Sequence, residues 1–134
     1  MNNKIKKNSL RKVLLLTAAF LPGLAVAEVQ LKDISEVAGS WTLESVSPSL
    51  TKPKIAENRV WEFRPNGVIV TSGFNRHFGR EDTQQFNYAI VNGRILADNP
   101  GRPGKKEEFV VYEKTADSMT LQGGMEGFYF FRKK

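Results

Sequence analysis

A single histidine limits the chemistry this chain can offer. His77 lies in the polar run Asn75-Arg76-His77-Phe78-Gly79-Arg80-Glu81-Asp82, and the 134 residues contain one His and no Cys. A zinc site built from several imidazoles, or from thiolates, is therefore excluded. A hard cation would draw on Glu81, Asp82 or Asp98, but their spacing matches no calcium loop, and a solvated acidic loop accounts for them. As a general base, His77 would need a partner and a bound substrate within hydrogen-bond reach. Flanked by Arg76 and Arg80, it reads instead as a polar loop residue. No nucleophile–base pairing emerges, so the expectation is a protein that is not an enzyme and carries neither cofactor nor metal. Charge gives a sharper pattern. Lys52, Lys54, Arg76, His77, Arg80, Arg102, Lys105 and Lys106 all fall in segments between apolar runs. Brought together, they could draw in a carboxylate or phosphate head group. Glu57, Glu81, Asp82, Asp98 and Glu126 share those segments and offset much of that charge.

The apolar runs alternate with the two-residue period of half-buried strands. The spacing predicts strands over Trp41–Val46, Arg59–Phe63, Val68–Phe74, Thr83–Val91, Arg94–Ala97, Glu107–Lys114, Ser118–Gln122 and Gly127–Arg132. Prolines and glycines keep 47–58 and 98–106 out of any strand. Arg64-Pro65-Asn66-Gly67 and Asn92-Gly93 are tight-turn sequences, because Asn and Gly tolerate positive φ. Eight short strands joined by local turns specify an all-β antiparallel meander. Such a meander can close into an up-and-down barrel that leaves no free edge. The connections after strands one, three, five and seven then share one end, and they are mostly long: 47–58, 75–82, 98–106 and 123–126. The opposite end has only tight turns. Ile34, Val37 and Ala38 fit one face of a short N-terminal helical turn that enters at this trimmed end as a plug.

One phase of the alternation points Trp41, Leu43, Trp61, Phe63, Val68, Val70, Phe86, Tyr88, Ile90, Ile95, Phe109, Val111, Met119 and Leu121 inward. An eight-stranded barrel is just wide enough to be filled by side chains or to hold one small ligand, and both outcomes stay open on sequence grounds. The candidate ligand site combines Trp61, Phe63 and Tyr88 as aromatic wall with Arg76, His77, Arg80, Arg102 and Lys105 at the mouth. The expected ligand is small and apolar or amphipathic, with an anionic head admitted. Strand eight breaks the alternation, because Phe128-Tyr129-Phe130-Phe131 is apolar on both faces. Exposed aromatic patches anchor partners, so Tyr129 and Phe131 are the candidate partner surface. That supports an alternative reading as a protein-binding module, such as a periplasmic inhibitor or envelope assembly subunit.

The N-terminus reads as a signal peptide over 1–27, with a helical apolar segment. Lys4, Lys6, Lys7, Arg11 and Lys12 form a positive region, Val13 to Val26 is apolar, and Ala25-Val26-Ala27 gives the small residues read at cleavage. The apolar run is short for a membrane span of about 20 residues. The expected location is therefore periplasmic or secreted, with no membrane association after cleavage. Five of the 20 Lys and Arg lie in this leader and none of the 14 Asp and Glu, so residues 28–134 keep 15 basic and 14 acidic groups, net +1. That removes the charge argument for a nucleic-acid partner. The 107 residues left after the leader make one domain with one core.

Gly39-Ser40-Trp41 before the first strand and Arg132 at the end of the last resemble the lipocalin and wider calycin pattern. Residues 28–134 are similar to the lipocalin-like domains of bacterial exported proteins. The resemblance implies that Gly39, Trp41 and Arg132 close the barrel, with Arg132 packed across Trp41 as a cation–π pair worth ~0.5–2 kcal/mol. For inhibitors of this class it also implies a mobile N-terminal arm, here Glu28 to Lys32. The middle lipocalin motif, an acidic residue near a Tyr, is not recognisable. A second segment, Gly73 to Gly79 preceded by Trp61-Glu62-Phe63, is similar to the META-type domain of bacterial heat-shock and secreted proteins. There a Cys usually precedes the Asn, where this chain has Phe74, and a later helix is replaced by 98–106.

Overall fold

Alternating strands with short polar turns have one way to satisfy every backbone edge, and this chain takes it. The computed structural model describes residues 28–134, so the expected signal peptide over 1–27 lies outside the described residues. The strands are β1 (Gly39–Ser47), β2 (Ile55–Phe63), β3 (Val68–Asn75), β4 (Arg80–Val91), β5 (Arg94–Asp98), β6 (Lys106–Lys114), β7 (Ser118–Gly123) and β8 (Gly127–Lys133). They form a closed antiparallel barrel in sequence order, with β8 returning to β1. A 3-10 turn at Ile34–Glu36 precedes β1. Residues 99–105 form turns rather than a helix, which sets aside the META-type alternative.

β2 begins four residues earlier than the alternation suggests. Leu43 pairs with Arg59 and Ser45 with Ala56, so β2 carries an extra residue between those pairs. Asn58 sits there with φ 58°, a left-handed bulge conformation that Asn accepts readily. The bulge hides the strand from a period-two reading. β3 corrects the expected inward phase. Ile69 and Thr71 are buried, whereas Val68 and Val70 face outward, half-buried. Val68-Ile69-Val70-Thr71 is β-branched on both faces, so only the register decides. Phe63 pairs with Ile69 and Trp61 with Thr71, and the inward rings of β2 draw their partners in with them.

The trimmed end is closed by the N-terminal arm. β5 is five residues long and β6 nine, which leaves the end of β6 unpaired on that side. Val29 N–H donates to Val111 O at 2.8 Å and Leu31 N–H to Gly93 O at 3.0 Å, covering the gap. Glu28 adds a paired contact to Arg94 at 2.5 and 2.9 Å. This arm is docked, in contrast to the mobile one expected of an inhibitor. Val37 is fully buried below the barrel, and its carbonyl accepts Trp41 Nε1–H at 2.9 Å. Left unpaired in the core, that indole N–H would cost ~1–3 kcal/mol.

The expected Trp41–Arg132 contact is not made. Trp41 pairs with Lys133 and Thr42 with Arg132, so the strand period places Lys133 on the inner face and Arg132 outside. Lys133 Nζ lies 4.7 Å from the Trp41 ring centre and donates to Ala38 O at 3.0 Å. Arg132 reaches outward to Glu44 at 3.3 Å. Gly39 keeps its closure role. Its φ of +124° suits glycine, and a Cβ there would meet Lys133 Nζ.

Candidate ligand-binding site

Toward the closed end the interior is filled. Phe63, Ile69, Ile95, Val111, Met119, Leu121 and Phe131 pack over Trp41 as one core. Above them the barrel opens into a cavity of about 430 Å³ that reaches solvent between the long loops. Its walls come from alternate strands. Leu43, Trp61, Phe86, Phe109 and Tyr129 supply apolar surface from β1, β2, β4, β6 and β8. Trp61 is the hub, with its ring centre 5.3–6.4 Å from those of Phe63, Phe86, Phe109, Tyr129 and Phe131. All five pairs are edge-on or tilted, the arrangement that the ring quadrupoles favour.

One wall is polar. Arg59 follows the inward phase of Trp61 and Phe63 and is 6% exposed, which makes it a cation inside the barrel. Its Nη1 donates to Gly73 O at 2.7 Å and its Nη2 to Thr71 Oγ1 at 2.9 Å. Asp82 from β4 neutralises it, with Oδ1 2.8 Å from Nη1. That oxygen lies off the N–H directions and makes a charge contact rather than a hydrogen bond. Asn75 and Gln84 donate to the other carboxylate oxygen at 2.9 and 3.3 Å. Burial alone would raise the Asp82 carboxyl, but the hydrogen bond from Asn75 and the positive charge of the Arg59 guanidinium outweigh it and hold it low.

A second cluster crosses the mouth. Arg76 bridges Glu57 of β2 at 2.8 Å and Glu126 of the β7–β8 loop at 2.9 Å. His77 Nε2 meets the same Glu126 oxygen at 2.6 Å. The clasp ties three elements around the opening. Below it, Tyr129 Oη accepts the Glu126 N–H at 3.2 Å, and burial pushes the Tyr129 phenol up to about 12.

The residues chosen from sequence divide by depth and position. Trp61 and His77 line the cavity, and Arg76 holds its rim. Phe63 and Tyr88 lie below it, where Tyr88 Oη–H donates to Arg64 O at 2.8 Å in a closed-end turn. Arg80, Arg102 and Lys105 are exposed and form no part of the lining. Tyr129 and Phe131 are corrected from partner surface to interior, at 7% and 3% exposure. They follow the inward phase set by their partners Leu121 and Met119. The outward rings of β8 are Phe128 and Phe130. Tyr112 packs edge-on to Phe128 at 5.7 Å, and Lys54 Nζ lies 4.0 Å from the Phe130 ring centre. Arg59, Thr71, Gln84, Phe109 and Glu126 were missed as lining residues, although strand phase marks Arg59 with Trp61 and Gln84 with Phe86. Among the described residues, no group of three His, Asp or Glu side chains converges to hold a metal ion.

Two solved structures share this architecture. One is a lipocalin-like protein from Bacteroides uniformis, which superposes with a TM-score of 0.57 at 19% identity over 74% of this chain and 99% of that one. The fold is a lipocalin-like barrel. An uncharacterized protein from Bacteroides eggerthii matches it with a TM-score of 0.53 at 18% identity, over 72% of this chain and 98% of its own. No protein-family model matches the sequence, and no curated protein matches it. The likeness shows the fold, and the chemistry of the open end must be read from its own residues.

Proposed function

We propose that this chain is an exported, non-enzymatic binding protein whose lipocalin-like barrel takes one small apolar or amphipathic molecule through its looped end. The observation that carries this reading is the aromatic-walled cavity of about 430 Å³, open only where the long loops gather. Its size falls within the ~300–1,000 Å³ typical of ligand pockets, and apolar walls with a few fixed polar groups are the usual composition. The ligand's apolar part would lie against Trp61, Phe86 and Phe109, and its polar end would meet the mouth. That end is neutral or cationic in this reading. Glu57 and Glu126 are paired with Arg76 and Asp98 with Lys106, which leaves Glu107 as the lining carboxylate without a cation, while Arg59 is committed to Asp82. Arg80, Arg102 and Lys105, which contributed to the expectation of an anionic head, stand outside the cavity.

Export rests on the basic and apolar segments of residues 1–27 and on Ala25-Val26-Ala27. The protein-binding alternative drew on strand eight and a free arm. With Phe128 and Phe130 covered and the arm docked, no specific observation favours it. The test is native mass spectrometry of the protein recovered from the periplasm of an expression host, followed by a panel of neutral, cationic and anionic amphiphiles. The expected mass is that of a chain beginning at Glu28, with one small molecule bound per chain. No bound species and no saturable binding across the panel would overturn the ligand reading. An intact N-terminus in a cytoplasmic fraction would overturn export.

A further inference from the structure

The exposed apolar side chains of the barrel are not scattered. Leu50, Ile55, Phe74, Phe78 and Met125 all belong to the open end, at 42–72% exposure, and of the large exposed hydrophobics described only Val91 lies elsewhere. Phe78 and Met125 also line the cavity mouth, so the rim runs without interruption into the binding cavity. Single exposed apolar residues need no explanation, but a set confined to one end of a barrel does.

The charges at that end are sorted in the same way. Glu57 and Glu126 are held by Arg76, Asp98 by Lys106, and Asp82 by Arg59. Among the described residues, no carboxylate lies within ion-pair distance of Lys52, Arg80, Arg102 or Lys105, all of which are exposed at the same end. Glu81 and the half-buried Glu107 are the carboxylates of that end without such a partner. The near-neutral sum over residues 28–134 therefore conceals a loop face with unmatched positive charge. A ring of separate apolar tips interleaved with free cations fits a fluid anionic surface, which admits side chains individually. A rigid protein partner would instead need a continuous complementary patch.

We infer that the open end of the barrel docks on an anionic lipid surface, with Phe78 and Met125 inserted and Lys52, Arg80, Arg102 and Lys105 against the head groups. Docked this way, the cavity mouth faces the bilayer, and a lipid-soluble ligand enters without crossing water. This extends the reading of the cavity as a ligand site and is tested apart from it.

The experiment is flotation of the full-length expression product, as the host processes it, with vesicles of phosphatidylcholine alone or mixed with phosphatidylglycerol. Binding should favour the anionic vesicles and weaken as salt is added. Each cation removed should weaken it about five-fold. Arg102→Glu with Lys105→Glu, and separately Phe78→Ser with Met125→Ser, should release the protein, while Val91→Ser at the closed end should not. Circular dichroism confirms that each variant is folded. Equal binding to both vesicle types, or unchanged binding by both rim variants, overturns the inference. Phenylnaphthylamine binding without vesicles should survive Arg102→Glu and Lys105→Glu. Failure of the unsubstituted protein to bind anionic vesicles while it still binds the probe would refute docking alone, and vesicle binding without probe binding would refute the cavity reading alone.

Discussion

Trp61→Ala should be the most costly single truncation at the open half of the barrel. The Trp61 ring contacts five other aromatic rings at 5.3–6.4 Å. Each such pair is worth ~0.5–1.5 kcal/mol beyond area burial. The pairs are not independent, since Phe109 and Tyr129 also contact each other at 5.4 Å and would keep that contact. Truncating a fully buried large aromatic costs ~3–5 kcal/mol, and Trp61 is partly buried. Trp61 borders an open cavity, so its loss enlarges an existing space rather than sealing a new void, and the lower figure of about 3 kcal/mol applies. For a domain of roughly 100 residues that lowers Tm by ~12–24 °C. Thermal unfolding followed by circular dichroism reads this directly, with Phe78→Ala as comparator. Phe78 is 60% exposed and should change stability by less than ~0.5 kcal/mol. A Tm loss of under ~4 °C for Trp61→Ala would refute the aromatic hub.

Other outcomes follow from the same geometry. Lys133→Met should destabilise by about 1 kcal/mol or more, through the Trp41 contact and the Ala38 hydrogen bond, while Arg132→Met should be near neutral; denaturant titration separates them. Tyr88 and Tyr129, two of the three tyrosines, should ionise only near pH 12, because burial raises both to about 12. Their stabilising contribution is complete below the unfolded value and is lost as pH rises through about 12, which ultraviolet difference titration alongside unfolding would show. On the acid side, Glu28 is held low by Arg94, Asp98 by Lys106, and Asp82 by Asn75 and Arg59 against its burial. Their contribution is present above roughly pH 4 and fades as pH falls through the lowered values, so Asp82→Asn should flatten part of that decline. Arg76→Met should open the clasp and raise both association and dissociation rates of a cavity probe in stopped-flow measurements.

Much of this was legible in single residues. The φ values of Asn92 and Gly93, 52° and 79°, are those that Asn-Gly announces for a two-residue hairpin. Clean alternation over Phe86-Asn87-Tyr88-Ala89-Ile90 gave β4 its inward face. β3 resisted because four β-branched residues in a row carry no phase, and the start of β2 was hidden by the Asn58 bulge. Charge misled in two directions. Arg59 and Asp82 look like surface residues by type, yet they share a strand phase with Trp61 and Phe86, and mutual neutralisation makes their burial tolerable. Arg102 and Lys105 sit on the expected end of the barrel, but loop residues have no phase to aim them, and they point away from the cavity.

The most direct measurement is titration of phenylnaphthylamine into the protein and into Gln84→Trp, which places an indole in the cavity from the β4 wall. Trp61 reports the event from the cavity wall, whereas Trp41 is sealed in the closed end. The expected result is saturable binding at one site that perturbs Trp61 emission and is lost in a folded Gln84→Trp variant. Absence of saturable binding, or binding that survives Gln84→Trp unchanged, would contradict a ligand site in the barrel.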